Sequence, residues 1–175
     1  KIDSINLSKN INLTHFYANF NEFKSVNTKY NSKLLIFSID ANKPDWSEDI
    51  ENGIIEPWDT ITRLDFSKNL NIESISVPSL GLTNLNLENN VKINFLDLYN
   101  NNFSQIYLGN FPELEQLRIQ FNNLNELDVS QNPKLKSLST GGNPKLNCIK
   151  ISEEQLDKIN SGELPGWEVG NTDLL

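Results

Sequence analysis

The 175-residue sequence contains no methionine, one cysteine and one histidine. A single thiol, Cys148, cannot close an internal disulfide, so packing and hydrogen bonds must hold the fold. Its expected place is a small buried apolar position. His15 stands among aromatics with no cysteine near it in sequence, so a surface or hydrogen-bonded histidine is expected there, not a general base. Long apolar runs are missing as well. None approaches the roughly 18 residues that a membrane-spanning helix needs, and no secretion signal is present. The start at Lys1 without any methionine leads us to expect that an initiator end has been removed, by processing of such a signal or by trimming. Basic residues are few: 15 Lys and Arg face 23 Asp and Glu, a net charge of −8. That argues against nucleic acid as a partner, because such binders carry a clustered basic footprint.

Asparagine is in excess, at 28 residues. Its amide competes with the backbone in helices and ordinary strands, so a fold must exist that employs Asn regularly in turns. A repeat supplies that employment. Leu64, Leu85, Ile106, Leu127 and Cys148 recur every 21 residues, and Ile75, Leu96, Leu117 and Leu138 form a second series between them. Each anchor before Cys148 has an apolar residue three positions before it, and all of these but one (Thr140, after Leu138) have another two after; around Cys148 those places hold Lys145 and Lys150, so stacking is expected to end there. Five positions after come Asn69, Asn90 and Asn132 in one series and Asn101, Asn122 and Asn143 in the other, with Phe111 and Leu80 as exceptions. The unit is L-x-x-L-x-L-x-x-N, twice per 21 residues. L-x-L is a period-two strand whose apolar side chains face one way, and the Asn turns the chain by bonding backbone groups. Each buried Leu or Ile contributes ~1.5–3 kcal/mol, but one coil cannot shield its own face, so coils must stack.

With these residues in view, the chain resembles bacterial secreted or surface-attached leucine-rich-repeat proteins of the internalin-like group. Leu124-Asn125-Glu126-Leu127-Asp128-Val129-Ser130-Gln131-Asn132-Pro133-Lys134-Leu135 matches that group's L-x-x-L-D-V-S-x-N-x-x-L half-repeat. The segment from Leu114 to Leu124 matches its second half-repeat, with Ile119 where a Cys is usual, and Leu146-Asn147-Cys148-Ile149 resembles its closing segment. The resemblance implies a leucine-rich-repeat solenoid, a right-handed β/α-type superhelix with short parallel strands, between an N-terminal helical cap and a C-terminal cap. The expected divisions are 1–59 for the first cap, 60–150 for the repeats and 151–175 for the second cap.

The two ends carry their own signals. Phe16, Phe20 and Phe23 fall at helical spacing between Asn12 and Lys29, with Thr14 placed to cap a helix. The resembling group often continues into a calcium-type loop. With most of 43–51 excised, Asp40, Asn42, Asn52 and Asp59 take positions one, three, five and twelve of such a loop, with Gly53 at six. Calcium is therefore a candidate cofactor, and a degenerate structural loop that binds nothing is the alternative. At the other end Ser152 and Gln155 form a capping-box pair, Gly162, Pro165 and Gly166 stop the helix, and Trp167 is expected to fold over the last coil.

The resemblance also implies that the second series lies on the concave face. Its outward residues concentrate aromatics and an arginine, types enriched at binding hot spots. Phe95, Asp97, Tyr99, Gln116, Arg118 and Gln120 are the candidate ligand contacts. The competing reading has Phe95 and Tyr99 packing on a flank and Arg118 pairing with Asp97. No nucleophile motif, phosphate loop or zinc spacing occurs, so the expectation is a non-enzymatic, secreted or cell-surface module that recognises a protein or glycan. A structural or spacer module is the alternative. A hydrolase is more distant, since two well-placed carboxylates suffice for glycoside hydrolysis.

Overall fold

The computed structural model describes residues 2–40, 61 and 64–168. These residues contain nine strands of three residues each: β1 (His15–Tyr17), β2 (Ile36–Ser38), β3 (Ser74–Ser76), β4 (Phe95–Asp97), β5 (Gln116–Arg118), β6 (Glu126–Asp128), β7 (Ser137–Ser139), β8 (Cys148–Lys150) and β9 (Gly166–Glu168). The only helix among the described residues is α1 (Glu153–Asn160). One parallel sheet runs β1-β2-β3-β4-β5-β7-β9, and β6 pairs with β8 on the other side of the coils. The register follows from the repeat length: Ile75, Leu96, Leu117 and Leu138 stand opposite one another and are fully buried. Aliphatics from both sides meet in one continuous core. The chain is a parallel-strand solenoid.

Asparagine amides tie each coil to the one before. On the β6 side, Asn31 Nδ2 donates to the carbonyls of Leu7 and Asn10, Asn69 to Thr28 and Asn31, Asn90 to Phe66 and Asn69, and Asn132 to Leu108 and Phe111, at 2.8–3.2 Å. All four side chains are buried. On the other side Asn101, Asn122 and Asn143 also accept: Leu82, Phe103 and Leu124 N–H groups donate to their Oδ1 atoms. Only an amide can do both jobs, which accounts for the composition.

The expected N-terminal helix is not formed. Residues 15–17 are β1, and the solenoid extends back through Leu7 and Asn10. Phe16 lies in register with Phe37, and their rings stack at 5.4 Å between centroids. Phe16 and Phe23 are buried but Phe20 is 66% exposed, so their helical spacing is incidental to the packing. Asn10-x-x-Leu13-x-x-Phe16 and Asn31-x-x-Leu34-x-x-Phe37 are two further copies of the repeat. A second correction concerns Cys148. Leu127 pairs with Ile149, not Cys148, so Ile149 takes the buried slot and Cys148 stands half-buried beside Glu126.

The C-terminal cap forms as its residues suggest. Ser152 and Gln155 make both capping-box bonds, and Trp167 sits in register with Leu138 at the end of the sheet. Gln155 does more than cap: its Nε2 donates to the carbonyls of Val129 and Asn132, taking the next place in the asparagine column. Leu156, by contrast, stays 44% exposed.

Asn132→Ala removes the side-chain amide from two carbonyls that keep only the Phe111 and Leu114 N–H donors, and opens a small cavity; it is expected to lower unfolding free energy by about 2 kcal/mol. Asn132→Asp, which sets a carboxylate against those carbonyls, costs more at neutral pH. The exposed Asn89→Ala is neutral. Urea denaturation of the three variants checks this.

Candidate functional site

Of the residues expected on the recognition surface, the structure brings most together on adjacent strands. Phe95 pairs with Gln116 and Asp97 with Arg118 in the β4–β5 register. Tyr99 and Gln120 follow two residues beyond each strand, so they lie in the same column, with Gly141 next in line after β7. Gln116 and Arg118 are exposed, whereas Phe95 and Gln120 are half-buried. The Gln120 Oε1 atom is buried without a hydrogen-bond partner.

Asp97 is the least expected member electrostatically. It occupies an outward position yet is only 8% exposed. Arg118 Nη1 lies 3.8 Å from its Oδ2, the Ser76 hydroxyl donates to Oδ2 at 3.5 Å, and the Tyr99 N–H donates to Oδ1 at 3.1 Å. Burial nevertheless raises its pKa, outweighing the Tyr99 N–H, the Arg118 charge and the Ser76 hydroxyl. The pairing of Arg118 with Asp97 is real, but loose. A guanidinium mostly in water and held at that distance keeps donors free for a ligand.

Sequence reasoning missed Phe121. Where the chain leaves the sheet after β1, β3, β4, β5 and β7, one residue lies in the left-handed region: Phe20 (φ 63), Ser79 (61), Asn100 (51), Phe121 (54) and Gly142 (72). Glycine or asparagine suits that position, and a phenylalanine there is strained. Phe121 is 53% exposed, and its ring meets Tyr99 edge to face at 5.3 Å. On its other side a Cβ on Gly142 would fall 2.7 Å from the ring, so only glycine admits it. Gly141 has open space around it. The signal was available: Phe121 precedes the Asn122 column where neighbouring coils carry Asn100 and Gly142.

The result is an aromatic step, Tyr99 over Phe121, that descends to a floor of two glycines and is flanked by a carboxylate and a guanidinium. Such a set can stack on the apolar face of a ring and hydrogen-bond its polar edge. Of the calcium-type residues, Asp40 is engaged as acceptor for the Phe20 N–H. Asn42, Asn52 and Asp59 lie outside the described residues. Among the described residues no three His, Cys, Asp or Glu side chains are placed to hold a metal. His15 is exposed and bonds Thr14 Oγ1 at 2.9 Å.

No protein-family model matches the chain, and no curated protein matches it significantly. Among solved structures it is similar to the functional domain of InlJ from Listeria monocytogenes, which includes a cysteine ladder. The identity is 19%, the TM-score 0.40, and the match covers 86% of this chain and 46% of that one. This chain, with a single cysteine, has no such ladder.

A carboxyl with its folded-state pKa raised holds its proton more tightly in the folded state, so folding gains stability as pH falls through that window and loses it as pH rises. Asp97→Asn keeps an acceptor for Tyr99. It is expected to be more stable than the parent at neutral pH, with the advantage shrinking towards about pH 3. Urea midpoints measured across that range check the sign.

Proposed function

We propose that this chain is a non-catalytic recognition module, acting outside the cell or at its surface, that binds a glycan or a protein segment on the seven-stranded sheet. The observation that carries this reading is Phe121. A left-handed phenylalanine costs about 1–2 kcal/mol, and its ring is half in water, so packing returns little of that cost. Strain kept at an exposed aromatic beside a desolvated carboxylate is characteristic of a binding site.

Dimensions favour a small ligand. Three residues of strand span about 10 Å and neighbouring coils are about 4.8 Å apart, so the patch over β4, β5 and β7 is far smaller than the ~800 Å² per partner of a standard protein interface. A glycan or short peptide fits it. Tyr99 and Phe121 supply the stacking faces and Arg118 the donors. A spacer or assembly role has one observation in its favour: β1 is the outermost strand of the sheet, and Ile11, Tyr17 and Phe20 near it are exposed. Light scattering decides between them, since assembly requires a mass that rises with concentration.

Tyr99→Ala and Arg118→Ala are expected to abolish binding in a glycan-array or surface-protein screen while leaving the circular dichroism spectrum unchanged. Phe121→Gly is the sharper variant. It should lose binding yet be no less stable than the parent, because glycine adopts positive φ without strain. Retained binding in all three variants excludes this surface.

A further inference from the structure

On the side opposite the seven-stranded sheet the paired ladder is interrupted. Asp65 bridges Asn86, and β6 pairs with β8, but in the half-coil between them the Asn123 N–H still donates to the Phe103 carbonyl, after which residues 104–111 form no strand ladder with either neighbour. Two departures from the repeat explain the gap. In three other half-coils an Asx side chain accepts the N–H two residues on: Asp65 from Ser67, Asn86 from Glu88, and Asp128 from Ser130. Tyr107 occupies that position here and cannot form the turn. Its ring folds back on Gly109, where a Cβ would fall 2.6 Å from the hydroxyl. Phe111 then replaces the column asparagine, so the Leu87 and Asn90 carbonyls receive no side-chain amide.

The interruption opens a groove of about 840 Å³. Leu85 and Ile106, at positions buried in other coils, are only half-buried and form part of its lining. Glu88, Glu126, Asp128 and Lys150 also line it, three carboxylates against one ammonium. Lys150 is tied to Glu126 at 3.6 Å. The Ser130 hydroxyl holds Asp128 below the usual carboxylate range, so it is charged at neutral pH. Finally, β6 has a strand partner on one side only, and its unpaired side faces the groove.

We infer that this groove binds an extended peptide segment rich in basic side chains, whose main chain pairs with the open edge of β6. An unpaired strand edge offers main-chain donors and acceptors to an incoming strand. Alternate side chains of that strand then point to opposite faces, half of them towards Leu85 and Ile106 and half towards the carboxylates. The residual negative charge selects basic sequences and speeds their arrival.

The test titrates the whole chain with a fluorescein-labelled, N-acetylated decapeptide of alternating Val and Lys, read by anisotropy and by the methyl NMR signals of Leu85 and Ile106. Controls carry Glu in place of Lys, or N-methyl groups on alternate main-chain nitrogens. The Val-Lys peptide is expected to bind and shift both methyl sets. The Glu peptide should not bind, and N-methylation should remove binding. The double variant Glu88→Gln/Asp128→Asn, which keeps the Asx turn, should bind about tenfold more weakly. Equal binding by the N-methylated peptide would reduce the effect to diffuse charge attraction and overturn the proposal. So would unshifted methyl signals, an unaffected double variant, or a neutral cello-oligosaccharide that moves those methyl signals when the peptide does not.

Discussion

Everything in this molecule depends on side-chain amides that donate to the carbonyls of the preceding coil. Three-residue strands offer few ladder bonds, and a stack of them has little else directional to fix one coil on the next. Asn31, Asn69, Asn90 and Asn132 each bridge two carbonyls from a fully buried position, and Gln155 carries the column into the cap. The Oδ1 atoms of Asn31, Asn90 and Asn132 meet no donor, so these residues act as donors above all. The aliphatic core supplies the driving force, and the amides specify the spacing.

A frame so regular makes its irregularities informative. Where Phe111 replaces a column asparagine and Tyr107 an Asx turn, the ladder opens into a groove. Where Phe121 takes a position suited to glycine, an aromatic is driven into solvent beside Tyr99. Asp97 is likewise an outward residue that the packing has desolvated. Each departure costs stability locally; Phe121 and Asp97 lie on the side of the long sheet and the groove lies behind it. Rigid neighbouring coils are what make such strained positions tenable.

The repeat was legible in the sequence from about residue 61 because the 21-residue step is unbroken there. Its first two coils were hidden. Phe37 and Ile75 are paired in space but 38 residues apart in sequence, which breaks the step, and the spacing of Phe16, Phe20 and Phe23 mimics a helix. One additional residue before Ile149 concealed the slip that moves Cys148 out of the core. The Asp97–Arg118 contact could be read because both residues occupy the same place in the repeat. Phe121 could not be read from hydropathy, since an exposed aromatic looks like surface filler until its backbone conformation is compared with Asn100 and Gly142. Gln155 had a role visible as a helix cap, and that reading obscured its second one.

The central claim is that buried carboxamides hold the coils in place, and hydrogen exchange of those groups tests it most directly. The Nδ2 protons of Asn69, Asn90 and Asn132 and the Nε2 protons of Gln155 should exchange only on global unfolding, at rates matching the most protected backbone amides. Exchange as fast as that of the exposed Asn89 carboxamide would contradict the account.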